Sequence, residues 1–214
     1  MNAVQKPSPK TDLLTQIIIY ELPFSLFILF FLFYNFGFAS PTEFTKTFGL
    51  MAITLLAFTL LINPLANYFP IFARFRSAGK PWGIACVLCV VIHLALVLVY
   101  RYNFDLIKMF DPSKRIFWGL ITGFISFFAL LYKLFNPVKK SFSNLPNSIW
   151  KNLITVTYLA LILAFVHFYL VESTASGVLV IKKLLGQIIF GFSGFVVLLR
   201  LVLHFISYRK TKNN

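Results

Sequence analysis

Charge is what this chain has least of. Of its 214 residues 12% are charged and 59% are hydrophobic, whereas soluble domains carry roughly a quarter charged residues. That deficit excludes a solvated globular domain and points to an integral membrane protein. The stretches between apolar runs are short, so there is no room for a soluble domain, and a built-in nucleotide or flavin-reductase module of Rossmann type is excluded. No Walker loop, GxGxxG, HExxH or nucleophile elbow occurs. Pairs such as Ser176-Gly177 and Ser193-Gly194 lack a basic partner, which leaves no hydrolytic site. Cysteine is limited to Cys86 and Cys89, both within an apolar run, where a disulfide staple is implausible. They read as small packing residues. A metal set of Cys86, Cys89 and His93 on one helix face would lack the second cluster needed to surround the ion.

What the chain does have is six runs long enough to cross about 30 Å of hydrocarbon as helices: Ile17 to Phe38, Phe48 to Tyr68, Trp82 to Tyr100, Ile116 to Tyr132, Ile149 to Val171, and Val178 to Ser207. The fold class expected is all-α, a polytopic six-helix transmembrane bundle. Residues 17–207 form the membrane domain, between tails at 1–16 and 208–214. The first run exceeds the length of a signal-peptide core and has no good cleavage site after it, so it reads as a retained anchor. Asn63-Pro64 is expected to mark where the second span begins to end, and Pro23 to be tolerated near the start of the first.

The excess of 20 Lys and Arg over six acids is chiefly a topology signal. With a cytoplasmic amino terminus, the inner side collects Lys6, Lys10, Arg74, Arg76, Lys80, Lys133, Lys139, Lys140, Lys151, Arg209, Lys210 and Lys212. Fewer basic residues, and four of the six acids (Glu43, Asp105, Asp111 and Glu172), fall on the outer side. Both termini are therefore expected inside. The basic residues are divided among short loops rather than gathered with aromatics on one face, which argues against nucleic acid.

Two histidines, His93 and His167, lie within the third and fifth spans. A polar ring at that depth needs a partner. Counted from Arg101 and Glu172 they lie about 12 and 7.5 Å below the outer ends, a difference within the slack of helix tilt. Both rings can then reach one plane and hold a haem iron between them as axial ligands. Ala160 and Ala164 share the face of His167, as Cys86 and Cys89 share that of His93, leaving space beside each ring. The alternative is that each histidine bonds a carbonyl or hydroxyl of a neighbouring helix.

The run Phe48-Gly49-Leu50 through Ile62-Asn63-Pro64-Leu65-Ala66-Asn67-Tyr68, the basic loop with Arg74, Arg76 and Lys80, and Gly83 ten residues before His93 resemble the ferric reductase-like transmembrane domain. Trp150 to Leu159 with His167 downstream agrees. The nearest branch is the haem-binding membrane subunit of the periplasmic methionine sulfoxide reductase system, and the likeness covers roughly residues 45 to 175. It implies haem b, electrons from a membrane quinone or from a flavin such as FMN, a soluble periplasmic reductase partner that can contain molybdenum, and the bacterial inner membrane. One departure is plain: the family's histidine thirteen residues before His167 is Ile154 here, so an inner haem would need another ligand. His204 is the only other histidine, and it reads more simply as a solvated helix end. A basic residue of the family is also missing at Leu50.

Quinol oxidation needs a proton acceptor, and Glu21 and Arg200 are the ionisable candidates inside spans; their plainer reading is mutual neutralisation or snorkelling. Gly119 and Gly123, and Gly186, Gly191 and Gly194, read as close-packing positions. Three functions remain open: a haem b electron-transfer subunit, a stand-alone metal reductase, and a non-redox assembly or transport component.

Overall fold

The computed structural model describes residues 13–34, 40–135, 147–174, 176–181 and 183–212, without the side chains of 31–34, 63, 115, 135, 147–154 and 204–212. Its helices are α1 (Leu13–Tyr34), α2 (Pro41–Tyr68), α3 (Gly79–Leu96), the single turn α4 (Leu106–Met109), α5 (Arg115–Phe135), α6 (Asn147–Glu172) and α7 (Leu184–Lys212). A 3-10 segment, Pro70–Ala78, leads into α3, and a π turn, Val97–Arg101, extends it. Six of these helical segments are long and apolar enough to cross a bilayer, so the all-helical, multi-pass expectation holds.

Two helix starts differ most from the hydropathy reading, and one internal proline is accommodated, each for a local reason. α2 begins at Pro41 rather than Phe48, because the Ser40 hydroxyl accepts the Glu43 N–H (3.3 Å) and proline opens the first turn. The charges in those turns are met across the bundle by Lys183–Glu43 and Lys46–Glu172, both 2.9 Å. Pro64 lies inside α2, which runs on to Tyr68; there the Arg76 guanidinium donates to the Ala66 carbonyl (3.1 Å) and to Asn67 Oδ1 (2.7 Å), satisfying an end that would otherwise be bare. The last helix starts at Leu184, not Val178. The chain reverses tightly at Gly177 (φ 86°), closed by Thr174 N–H to the Val178 carbonyl at 2.8 Å.

α2 is the central helix, packed against α1, α3, α6 and α7, with Leu55 and Ala57 fully buried. Its buried hydroxyls return to their own helix, Thr54 to the Leu50 carbonyl (2.7 Å) and Thr59 to the Leu55 carbonyl (2.8 Å), so no polar group is stranded there. Trp82 Nε1 donates to the Ile19 carbonyl (2.9 Å), and Tyr158 donates to the Leu60 carbonyl (3.1 Å), which ties α1 to α3 and α6 to α2. The most extensive packing is within two pairs, α2 with α3 and α5 with α6.

Beyond the π turn, Asn103 (φ 49°) and Phe104 (φ 60°) reverse the chain, and Asp105 caps α4 by accepting the Lys108 N–H at 2.9 Å. Asp111 then accepts from the Ser113 hydroxyl (2.6 Å), its N–H (3.1 Å) and Lys114 (3.0 Å). These bonds, the Ser113 hydroxyl foremost, hold its carboxyl down at about 2. The turn's contribution is thus complete above the unfolded carboxylate pKa, near 4, and is lost as pH falls through about 2. Carbon-detected NMR of the Asp111 carboxyl should give a midpoint near about 2; an ordinary carboxylate midpoint would show that these bonds are absent.

Candidate functional site

His93 on α3 and His167 on α6 face each other with ring centroids 6.4 Å apart and planes at 90°. Each ring is anchored from the partner helix of its own pair. His93 Nδ1 lies 2.7 Å from the Thr45 carbonyl on α2, and His167 Nδ1 lies 2.6 Å from the Gly119 carbonyl on α5, both across 48 residues of chain. A carbonyl oxygen only accepts, so Nδ1 carries the proton in both rings and donates it. Nε2 of each neutral imidazole is left with its lone pair. A glycine backs each ring: a Cβ at Gly49 would stand 3.0 Å from His93 Nδ1, and one at Gly123 2.8 Å from His167 Nδ1. Any side chain at either position would displace the imidazole.

The two seats are copies. Adding 74 to the residue number carries Thr45 to Gly119, Gly49 to Gly123, Ala52 to Ser126, Cys86 to Ala160 and His93 to His167. The third and fourth positions are bridged to each other within each hairpin, with donor and acceptor exchanged: Cys86 Sγ donates to the Ala52 carbonyl (3.3 Å), and Ser126 Oγ to the Ala160 carbonyl (2.8 Å). The α2–α3 and α5–α6 hairpins therefore face each other as a parallel internal repeat. This explains why the histidines share one level. The depth difference expected from the sequence arose from counting to Arg101 and Glu172, which are not equivalent positions.

Between the hairpins lies a cavity of about 820 Å³, lined by both histidines, within the roughly 300–1,000 Å³ typical of cofactor and ligand sites. Its walls repeat at the same offset with different chemistry: Leu50, Ile53 and Leu94 on one hairpin, Phe124, Phe127 and Phe168 on the other. Lys46, Tyr100, Arg101 and Glu172 also line it, at the end of the bundle where α3 and α6 finish. Cys86 and Ala164 border the cavity as the sequence suggested, but Cys89 and Ala160 do not. Both cysteines are free thiols, and no cluster of three or more His, Cys, Asp or Glu occurs among the described residues.

The residues fit a metal held by two imidazoles and a flat equatorial ligand. A metal–imidazole bond is about 2.0–2.1 Å, and the atoms of a five-membered ring with sides near 1.33 Å lie about 1.1 Å from its centre. With both Nε2 atoms turned toward a shared metal, the centroids would stand about 6.3 Å apart; the observed separation is 6.4 Å. Nδ1–H donation to a backbone carbonyl is the usual way to fix the tautomer and orientation of a ligating histidine.

The other sequence candidates lie elsewhere. Glu21 is exposed on α1, and Arg200 stacks over the Tyr158 ring at 4.7 Å from its centroid. Neither lines the cavity, and they do not neutralise each other: the ion pairs among the described residues are Lys46–Glu172, Lys114–Asp111 and Lys183–Glu43. His204 and Ile154 belong to α7 and α6, but their side chains lie outside the described residues. Sequence reasoning missed Thr45 and Gly49 and took Gly119 and Gly123 as packing alone; the shared offset of the histidines and glycines was the available signal. No family model and no curated protein matches the chain.

Proposed function

We propose that the chain is the membrane haem b subunit of an electron-transfer system, with His93 and His167 as the axial ligands of a single haem. The observation that carries this reading is the pair of imidazoles 6.4 Å apart, each with Nδ1 committed to a carbonyl. Hydrogen bonding to a neighbouring helix accounts for Nδ1 alone. It leaves unexplained two Nε2 atoms beside an apolar cavity, with no bond from either ring except through Nδ1 among the described residues.

A haem with both axial positions filled supplies one-electron transfer without an open site for oxygen chemistry. The protein's part is to hold and shield it. Thr45 and Gly119 fix the tautomers, Gly49 and Gly123 admit the rings, and the walls exclude water, which raises the cost of charge on the iron and so tunes its potential. The basic-residue balance supports both termini on the inner side and the Arg101 end of the cavity on the outer side, and the family resemblance implies that the membrane is the bacterial inner one. Electrons then come from membrane quinol, or from a flavin donor such as FMN, and leave to a soluble periplasmic reductase. The family resemblance makes a molybdenum-containing methionine sulfoxide reductase the expected partner.

Purified protein should bind one haem per chain by pyridine haemochrome assay and give a low-spin b-type spectrum after dithionite. A folded preparation that stays colourless when supplied with haem would overturn the proposal.

A further inference from the structure

The four acids that the sequence assigns to this end of the bundle are all engaged. Glu43 pairs with Lys183 and Glu172 with Lys46, each at 2.9 Å. Asp105 caps the Lys108 N–H, and Asp111 is held by Ser113 and Lys114. Two cations line the cavity, Lys46 and Arg101. The charge of Lys46 is met by Glu172, whereas Arg101 has no ion pair or hydrogen bond among the described residues. Arg101 is exposed at the rim of the apolar cavity, where its planar fork is open to a ligand and suits a carboxylate.

We infer that Arg101 is the anchor for the propionate carboxylates of the bound tetrapyrrole and so fixes which edge points to the mouth. This rests on the haem reading above. The π turn at Val97–Arg101 supports it: it continues the helix that carries His93, and Tyr100 and Arg101 within it both border the cavity.

The test separates the two claims. Full-length apoprotein is titrated with protohaem and with its dimethyl ester, whose carboxylates are blocked, using wild type, Arg101→Leu and Arg101→Gln. Wild type should bind protohaem at least tenfold more tightly than the ester. Both variants should lose about tenfold in protohaem affinity, as expected for one charge-assisted contact, with ester affinity unchanged and the low-spin spectrum retained. Arg101→Gln serves if Arg101→Leu does not fold. Equal losses for both haems, or no loss for either, would overturn the carboxylate anchor while leaving axial ligation intact. Failure of wild type to bind either haem would overturn the haem reading and this inference with it.

Discussion

Replacing His93 or His167 by alanine should abolish the low-spin haem spectrum, and either replacement alone should suffice. Six-coordinate iron needs both nitrogens, and the two rings stand at one level on opposite hairpins with no third imidazole beside them among the described residues. The alanine variants should still fold, since each leaves a ring-sized gap bordered by a glycine, at a cost of about 3–5 kcal/mol for loss of a large buried ring. Added imidazole should restore part of the spectrum by filling that gap. The check is a dithionite-reduced difference spectrum with and without imidazole; a low-spin spectrum persisting in both single variants would remove these histidines as ligands.

Gly123→Ala should be nearly as damaging although it touches no ligand atom in a chemical sense. The new methyl would lie 2.8 Å from His167 Nδ1 and 3.1 Å from Cε1. The ring is held on the same side by its 2.6 Å bond to the Gly119 carbonyl. Either the bond breaks or the hairpins part, at about 1–3 kcal/mol for overpacking, and the 6.4 Å spacing of the two rings is lost. Gly49→Ala, with 3.0 Å to the equivalent atom, should show the same loss to a smaller degree. Gly191 is the control: a Cβ there meets nothing within 4 Å, and alanine should leave the spectrum unchanged and favour the helix by up to about 1 kcal/mol. Haem content and thermal unfolding of the three variants would decide, and equal behaviour of Gly123→Ala and Gly191→Ala would contradict the seating described above.

Much of the architecture was legible because burial in lipid imposes one rule, long apolar helices, and the six spans follow from it. The helix starts were not. Glu43 and Lys46 end a hydrophobic run but not a helix, since their partners Lys183 and Glu172 come from distant parts of the chain. The two histidines were legible as a pair because a polar ring inside a span is conspicuous. Their seats were not, because the acceptors are backbone carbonyls, of Thr45 and Gly119, which leave no trace in composition. Only the offset of 74 shared by Gly49/Gly123 and His93/His167 carries that information, and it is visible as a repeat rather than as a motif.

The paired hairpins also leave the cavity two-faced. The histidine and glycine pairs are alike on both sides, but a planar guest would lie between Leu50, Ile53 and Leu94 on one side and Phe124, Phe127 and Phe168 on the other. Turning it over would trade branched aliphatic neighbours for benzyl rings. The protein can therefore tell obverse from reverse in a disc whose two ligands cannot.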